Sequence, residues 1–182
     1  SPKGTGHAVN AAKEQLADFD GVALVMFADT PLVTARTLAA LAAAVTDGSD
    51  IAVLAFEANN PAGYGRLVIG ADQCLEKIVE HTDATKTERA ITLVNGGVMA
   101  VRCPLLFDLL DEVKPDNAKA ELYLTGIVEI ATAKALAVTY CTTDEREIAG
   151  ANSRQDLAHI EAILQDRLRS SAMDQGVTMR AP

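Results

Sequence analysis

Two oxygen-bearing side chains stand where the chain could hold a divalent cation. Asp29 follows an unbroken apolar run at residues 22–27, and Asn152 precedes the last predicted helix. Open α/β sheets place their ligands beyond the carboxyl ends of parallel strands, and hard cations accept carboxylate and amide oxygens. The position of Asp29 predicts that it holds Mg²⁺ against phosphates. A turn-forming Asp before Thr-Pro fits Asp29 equally well, and local sequence alone favours a helix-cap role for Asn152.

Two glycine-bearing segments could bring backbone groups close to a ligand. Residues 4–6, Gly-Thr-Gly, open a predicted helix whose first N–H groups are free. A plain helix start is the better interpretation of these three residues alone. The loop at residues 61–66, Pro-Ala-Gly-Tyr-Gly-Arg, suits a chain that wraps a ligand and offers it a backbone N–H. An ordinary turn accounts for this loop equally well.

Two polar side chains interrupt predicted strands. Glu80 follows an apolar pair and could accept hydrogen bonds from sugar hydroxyls, although a solvated strand end is the more common role for such a residue. Asn95 lies inside a predicted strand beside Gly96 and Gly97. Glycines within a strand indicate a bulge or a close approach by a ligand, and a buried amide needs hydrogen-bond partners. We expect Lys119 and Arg154 to be solvated.

The composition of the chain excludes several classes of function. A net charge of −9 argues against a nucleic-acid partner, and a bound divalent cation would reconcile it with an anionic substrate. Apolar residues make up 49% of the chain, as in globular proteins, and we expect neither a membrane-spanning segment nor a signal peptide. Three scattered cysteines and three scattered histidines favour a reducing cytoplasm and predict no zinc site.

The pattern of apolar residues predicts one α/β domain in which strands and helices alternate. The predicted strands lie at residues 22–27, around Leu67, around Ile78, and at 51–56, 91–101 and 137–141. Three predicted helices have Thr5, Thr34 and Ser153 as their N-caps. Two more helices are predicted at residues 105–113 and 120–134. The first strand should be buried on both faces of a parallel sheet, forming a βαβ unit with the strand at 51–56. The last helix has a capping box with Asp156 and should bury Leu157, Ile160 and Leu164.

Seven short motifs, in register from about Gly4 to the end of the chain, resemble one known family. They are G-T-G-H-A at 4–8, A-D-T-P-L at 28–32, P-A-G-Y-G-R at 61–66, I-V-E-H-T-D-A at 78–84, V-N-G-G at 94–97, N-A-K-A-E-L-Y-L-T at 117–125 and A-N-S-R at 151–154. The family is the bacterial bifunctional N-acetylglucosamine-1-phosphate uridylyltransferase / glucosamine-1-phosphate acetyltransferase, and the similarity is to its N-terminal half.

The resemblance implies a Rossmann-like nucleotidyltransferase fold with a mixed, mainly parallel sheet that is incomplete at the N-terminus. It implies Mg²⁺-dependent uridylyl transfer from UTP to N-acetylglucosamine 1-phosphate, giving UDP-N-acetylglucosamine for cell-wall precursors. Residues 1–170 would be the uridylyltransferase domain, and 171–182 a linker toward a left-handed β-helix that makes the full-length protein a homotrimer. We expect the chain to begin after the family's glycine-rich phosphate loop, and therefore to turn over slowly or not at all by itself.

The resemblance also implies roles for individual residues. Asp29 and Asn152 match the catalytic pair that binds Mg²⁺, and Gly4 and Thr5 match residues that touch the uracil. The expected acetamido-sugar site comprises the Gly65 backbone, Glu80 and Asn95, with Tyr123 and Thr125 lining the pocket and with Phe27 and Ala28 as further substrate-binding residues.

The chain departs from the family at three positions. The family usually has Gly at position 28, Thr at 96 and Asp at 126, where this chain has Ala28, Gly96 and Gly126. The departures leave the exact sugar open, and two alternatives to the implied function stay open. One is a related sugar-phosphate nucleotidyltransferase that uses another sugar or base, and the other is a non-catalytic module that binds a nucleotide sugar.

Overall fold

The centre of the protein is a strand that is apolar on both faces. The computed structural model describes residues 3–180, and in it strand β2 (Ile51–Glu57) has its first six residues fully buried. This strand pairs antiparallel with β5 (Leu93–Arg102) and parallel with β6 (Val138–Thr142). The predicted strands at 51–56, 91–101 and 137–141 are therefore confirmed. A strand covered on both faces needs apolar residues at every position, which explains its unbroken apolar run.

The remaining strands extend the sheet on the far side of β5. A hairpin of β3 (Arg66–Ile69) and β4 (Leu75–Val79) pairs with the first half of β5, and β1 (Val22–Val25) pairs with its second half. The main path of the sheet is β4-β3-β5-β2-β6. The α/β class and the mixed sheet are confirmed. The expectation of a mainly parallel sheet is wrong for residues 3–180, where β2 with β6 is the one parallel pair.

Strand β1 differs most from its prediction. It pairs antiparallel with β5 rather than parallel with a neighbour, and within residues 3–180 no second strand covers its other edge. Leu24 is 39% exposed and Met26 44% exposed, so this run is not buried on both faces. Strands β1 and β2 still run in the same direction, because both are antiparallel to β5. The predicted βαβ crossover therefore exists, but β5 lies between its two strands.

Five α-helices lie within residues 3–180, on the faces of the sheet or beside it. They are α1 (Thr5–Asn10), α2 (Ala35–Thr46), α3 (Cys103–Leu110), α4 (Gly126–Ala133) and α5 (Arg154–Asp174). Helix α2 packs against Ala52, Leu54 and Phe56 of β2, whereas α3 and α4 pack against the alternate residues Ile51, Val53 and Ala55. Successive side chains of a strand point to opposite faces, so these helices form two layers. None of the helices described is long and apolar enough to cross a membrane.

Two predicted helix caps are confirmed and one is wrong. Thr34 caps α2 by accepting a hydrogen bond from the Thr37 N–H at 3.2 Å, and Ser153 caps α5 in a capping box with Asp156. Thr5, by contrast, is the first residue of α1, and Gly4 stands at the N-cap with a φ of 99°.

Two predicted helices also differ in extent or in their buried face. The helix predicted at 120–134 begins at Gly126, and Ala120 has a φ of 51°, outside the helical region. In α5, Ile160 and Ile163 are buried at 4% and 5% exposure, whereas Leu157 is 56% exposed. Leu164 is 39% exposed, so the predicted buried stripe is correct at Ile160 alone.

Candidate functional site

A cavity of about 560 Å³ opens at the edge of the sheet where β1, β4 and β6 end and β3 begins. Most of the predicted site residues line it, although they come from widely separated segments. They are Thr5, Phe27, Asp29, Gly65, Glu80, Asn95, Tyr123, Thr125 and Asn152. Two predicted site residues, Gly4 and Ala28, do not line the cavity. Gly4 directly precedes Thr5, and Ala28 lies between Phe27 and Asp29 in the chain. The fold therefore brings together side chains as far apart in sequence as Thr5 and Asn152.

Gly4 and Thr5 fasten the start of α1 to the segment that precedes α4. A Cβ on Gly4 would lie 2.5 Å from the Leu122 carbonyl oxygen, so only glycine fits there. The Gly6 N–H donates to the same Leu122 oxygen at 2.8 Å, and the Thr5 hydroxyl accepts from the Leu124 N–H at 2.9 Å. These contacts hold residues 122–125 at the cavity wall, which gives Gly4 a packing role beside any role toward a ligand.

Asp29 and Asn152 lie on two loops that touch each other. The Ala151 N–H donates to the Asp29 carbonyl oxygen at 2.8 Å. Between the loops, a Cβ built on Gly150 would lie 3.8 Å from that oxygen and 3.8 Å from the Asn152 amide nitrogen. Both side chains are exposed and line the cavity. A carboxylate and an amide so placed fit a hard cation, for which phosphate and water oxygens would complete the coordination.

A cation at this position would take few ligands from the protein. No group of three or more His, Cys, Asp or Glu side chains that could hold a metal occurs in the described part of the chain. Mg²⁺ is commonly bound by one or two carboxylates together with substrate phosphates and water, rather than by an all-protein cage. The donor set therefore suits Mg²⁺ that arrives with a phosphate ligand.

Asp156 fixes the loop that carries Asn152. Its carboxylate accepts from the Asn152 N–H at 3.1 Å and from the Ser153 N–H at 2.8 Å. The hydrogen bond with Ser153, followed by that from Asn152, lowers the pKa of Asp156 below its ordinary value. Asp156 also lines the cavity, so the capping box of α5 and the cavity share a residue.

Gly65, Glu80 and Asn95 form one connected group on another wall. The Asn95 N–H donates to the Gly65 carbonyl at 2.8 Å, and a Cβ on Gly65 would lie 3.4 Å from a Glu80 carboxylate oxygen. The Thr125 hydroxyl donates to the Glu80 carboxylate at 2.9 Å. Glu80 is half-buried, so the interpretation of a solvated strand end is wrong. These carboxylate, amide and backbone groups can hydrogen-bond a polyhydroxylated ligand.

The glycines beside Asn95 produce the bulge that their position predicts. Val53 and Ala55 of β2 face Met99 and Asn95 of β5, so β5 has extra residues at 96–98. Gly97 has a φ of 77°, and its N–H donates to the Asn95 side-chain oxygen at 3.1 Å. A Cβ on Gly97 would lie 2.7 Å from the Phe27 ring, which therefore packs directly on the glycine. The bulge thus turns Asn95 toward the cavity and gives Phe27 its place in the wall.

Aromatic rings and apolar side chains complete the wall. The Tyr64 ring meets Phe56 edge-on, with ring centroids 5.1 Å apart. Burial raises the pKa of Tyr64 and, foremost among several causes, that of Tyr123. Neutral phenols beside apolar surface provide a flat, partly dry wall for a ligand.

Several lining residues were not predicted as site residues. They are Thr30, Val98, Met99, Glu121, Leu124, Ile148, Gly150 and Asp156, together with Lys119, which was expected to be solvated. For Lys119 and Glu121, the sequence signal is Asn117, a residue type that commonly forms turns. Its side-chain oxygen accepts hydrogen bonds from the N–H groups of both residues at 3.2 Å and so folds the loop. The charged residues of this lining are Asp29, Glu80, Glu121, Asp156 and Lys119, so the cavity is acidic.

The sequence departures at Gly96 and Gly126 differ in their relation to the cavity. Gly96 lines it, and a Cβ there would lie 3.1 Å from both the Ile148 side chain and the Leu54 carbonyl oxygen. Gly126 is not a lining residue, and a Cβ there would face Val113 at 3.3 Å. The first departure can therefore change the shape of the cavity, whereas the second changes the start of α4.

Comparisons with known proteins agree on one family. The model of the MobA-like NTP transferase domain matches residues 1–97. "Bifunctional protein GlmU" of Maricaulis maris is 51% identical over 181 residues, which are 100% of this chain and 40% of the relative. "Bifunctional protein GlmU" of Roseobacter denitrificans is 49% identical over 98% of this chain and 39% of its own length. The chain thus spans about 40% of the length of the curated relatives it matches.

Solved structures show the same fold at low sequence identity. A nucleoside-diphosphate-sugar pyrophosphorylase from Vibrio cholerae superimposes with a TM-score of 0.64 at 13% identity, over 88% of this chain and 65% of that one. A Bacillus anthracis protein crystallised with sucrose gives a TM-score of 0.67 at 17% identity, over 91% of this chain and 63% of that one. The predicted nucleotidyltransferase-like α/β fold is confirmed.

Proposed function

The chain belongs to the family of MobA-like NTP transferase domains, and we propose that it transfers a uridylyl group from UTP to N-acetylglucosamine 1-phosphate. The products would be UDP-N-acetylglucosamine, a cell-wall precursor, and pyrophosphate. The sequence identity of 51% and 49% to two bifunctional GlmU proteins supports this assignment. The seven sequence motifs support the same assignment. The activity is a proposal because the chain spans about 40% of those relatives.

The observation that carries the proposal is the composition of one cavity. Asp29 and Asn152 lie on adjoining loops at one wall, and Gly65, Glu80 and Asn95 form a connected group at another. The first pair suits a cation with phosphates, and the second group suits the hydroxyl and acetamido groups of a sugar. A nucleotide sugar contains both kinds of group joined by a pyrophosphate, so one ligand could occupy both walls.

Uridylyl transfer in this cavity needs no strong general base. A phosphate oxygen of the sugar phosphate forms a bond to the α-phosphorus of UTP, and the bond from that phosphorus to the bridging oxygen breaks as pyrophosphate leaves. The attacking oxygen is already anionic. The contributions of the chain are therefore alignment of the two substrates and exclusion of water, for which Phe27 and Tyr123 stand at the wall.

Mg²⁺, held by Asp29 and Asn152, would neutralise the phosphate charges that the acidic cavity would otherwise repel. Asp156 would keep the Asn152 loop in place, because it accepts the Asn152 and Ser153 N–H groups. Thr5, with Gly4 beside it, would face the uracil, and Ala28 would lie between Phe27 and Asp29 at the substrate.

The wider setting of the protein is also a proposal. We place it in the cytoplasm, without nucleic-acid or membrane partners, and expect homotrimers to form through a domain outside this chain. The net charge of −9 supports the expectation that nucleic acid is not a partner.

The direct test measures pyrophosphate release by the gene product that carries this chain. UTP with N-acetylglucosamine 1-phosphate should give turnover that a chelator abolishes and added Mg²⁺ restores. Glucose 1-phosphate, and ATP, CTP or GTP in place of UTP, serve as controls and should react poorly. Preferred turnover of another pair would instead assign a related nucleotidyltransferase. Binding of UDP-N-acetylglucosamine by folded protein without any turnover would assign a non-catalytic module.

A further inference from the structure

Arg66 is a buried cation without a carboxylate partner. The side chain is 1% exposed, and within residues 3–180 no ion pair joins it to an acidic residue. Its Nε is buried and has no hydrogen-bond partner in that part of the chain. Burying a charge without a counter-ion is costly, and a positively charged side chain in this position needs a reason other than stability.

The guanidinium of Arg66 joins two segments of the chain. Its Nη1 donates to the Tyr64 carbonyl oxygen, and its Nη2 lies 3.2 Å from His81 Nδ1. A guanidinium has donors and no acceptor, so His81 Nδ1 must be the unprotonated acceptor in this contact. One planar, rigid group thereby ties the loop before β3 to the segment after β4.

Each of these segments supplies a residue to the cavity wall. Gly65 lies between Tyr64 and Arg66, and Glu80 directly precedes His81. The register partner of Arg66 on β5 is Val94, whose neighbour Asn95 donates its N–H to the Gly65 carbonyl at 2.8 Å. Arg66 does not itself line the cavity. It is nevertheless next to Gly65 in the chain and next to Asn95 through its strand pairing, and it contacts the residue that follows Glu80.

We propose that Arg66 is a positioning residue for the sugar: its guanidinium, held between the Tyr64 carbonyl and His81, sets the spacing of the Gly65 backbone and the Glu80 carboxylate. This proposal rests on the proposed function, in which those groups hold the acetamido sugar. A role in folding alone would change the stability of the protein and leave the preference among sugars unchanged. A positioning role changes KM for the sugar phosphate more than KM for UTP, because the Asp29 loop is not tied to Arg66.

The test compares Arg66→Met, Arg66→Lys and His81→Phe in the gene product that carries this chain. Methionine keeps an unbranched side chain without the charge, and lysine keeps the charge without the planar fork. The matched control is Arg36→Met, an exposed arginine of α2 outside the cavity lining. Thermal unfolding identifies variants that fold, and KM for each substrate is measured separately, with glucose 1-phosphate as the comparison sugar.

For Arg66→Met, KM for N-acetylglucosamine 1-phosphate should rise about tenfold, the loss expected for a hydrogen bond to a charged group. KM for UTP should change by less than about threefold, and Arg66→Lys should recover little of the loss. The effects of Arg66→Met and His81→Phe should be less than additive in the double variant, because both break the same link.

Equal losses for both substrates, or an unchanged preference between the two sugars in folded Arg66→Met, would overturn the proposal. If Arg66→Met does not fold, His81→Phe and Arg66→Lys decide by the same criterion. Failure of the wild-type protein to use N-acetylglucosamine 1-phosphate would refute the proposed function instead. The same variants would then be compared on whichever sugar phosphate the wild type uses, so the two failures are distinguishable.

Discussion

Among single residues, the proposed reaction depends most on Asp29. Its carboxylate is exposed and lines the cavity, so it contributes little to packing. Asp29→Ala should leave the unfolding temperature nearly unchanged and reduce turnover by at least about a hundredfold, because the cation would lose its one charged protein ligand. Pyrophosphate release as a function of Mg²⁺ concentration measures this loss.

The control for that variant is Asp18→Ala, which removes an exposed carboxylate from the turn after α1. It has the same effect on net charge and should keep full activity. Near-normal activity of Asp29→Ala at limiting Mg²⁺ would contradict the metal assignment, and so would an equal loss in both variants.

The site residues differ in how far the sequence predicts them. The family resemblance predicts Asp29, Glu80 and Asn95 as site residues, whereas local sequence fits a turn for Asp29 equally well and favours a solvated strand end for Glu80. Asp156 was predicted only as a helix cap, since Ser-x-x-Asp explains it locally, yet the same carboxylate also lines the cavity. Glu121 was missed because its place at the wall depends on the folding of its loop around Asn117, which no periodicity records.

At the scale of elements, the start of α5 links stability to the candidate cation site. Ser153 accepts from the Asp156 N–H at 3.1 Å, and Asp156 in turn accepts from the Asn152 N–H. Ser153→Ala should lower the free energy of unfolding by about 1 kcal/mol, the usual value of an N-cap. It should also raise the Mg²⁺ concentration needed for half-maximal turnover, because the Asn152 loop loses support.

The control is Ser170→Ala, near the other end of the same helix, where alanine is a better helix former. It should leave both quantities unchanged or raise stability slightly. A Ser153→Ala variant as stable as the wild type in denaturant unfolding, with an unchanged Mg²⁺ requirement, would show that the capping box does not support the site.

The turn at Thr85–Glu88 makes a pH-dependent contribution to stability. The Thr85 N–H and hydroxyl donate to the Glu88 carboxylate at 2.8 and 2.7 Å, and Lys77 lies 3.1 Å from it. These hydrogen bonds, backbone first, lower the pKa of Glu88 from 4.5 to about 2. A lowered pKa in the folded state means that the stabilisation is complete above the unfolded pKa and is lost as the pH falls toward 2.

The variant Glu88→Gln should therefore be less stable than the wild type at neutral pH, and the difference should shrink steadily as the pH is lowered from about 5. Urea unfolding of both proteins across that range measures it. Glu161→Gln, an exposed position of α5, is the control. A difference that stays constant with pH would mean that the carboxylate charge is not the cause.

The elements that were predicted correctly are those that local sequence determines. The first six residues of strand β2 are apolar because they are covered on both faces, and Thr34 and Ser153 cap helices through their own side chains. The apolar run of β1 shows that it is a strand but does not indicate which strands flank it. Residues 120–125 look helical by composition, but the Leu122 N–H donates to the Lys3 carbonyl, and this distant contact keeps the segment extended.

At the scale of the whole molecule, charge and fold are consistent with one interpretation. The protein carries a net charge of −9, and four carboxylates line its cavity, yet the chain belongs to the family of MobA-like NTP transferase domains. Anionic ligands in an acidic cavity require a divalent cation to bind well. We therefore propose that ligand binding in this cavity depends on a divalent cation.

The most direct test is calorimetric titration of the protein that carries this chain with UDP-N-acetylglucosamine, with Mg²⁺ and with a chelator, using UDP-glucose as the control ligand. We expect Mg²⁺ to tighten the binding of UDP-N-acetylglucosamine by at least about tenfold and this ligand to bind more tightly than UDP-glucose. The Asp29→Ala variant should lose the effect of Mg²⁺. Equal binding of both sugars, binding unaffected by the chelator, or no binding in a folded sample would contradict these expectations.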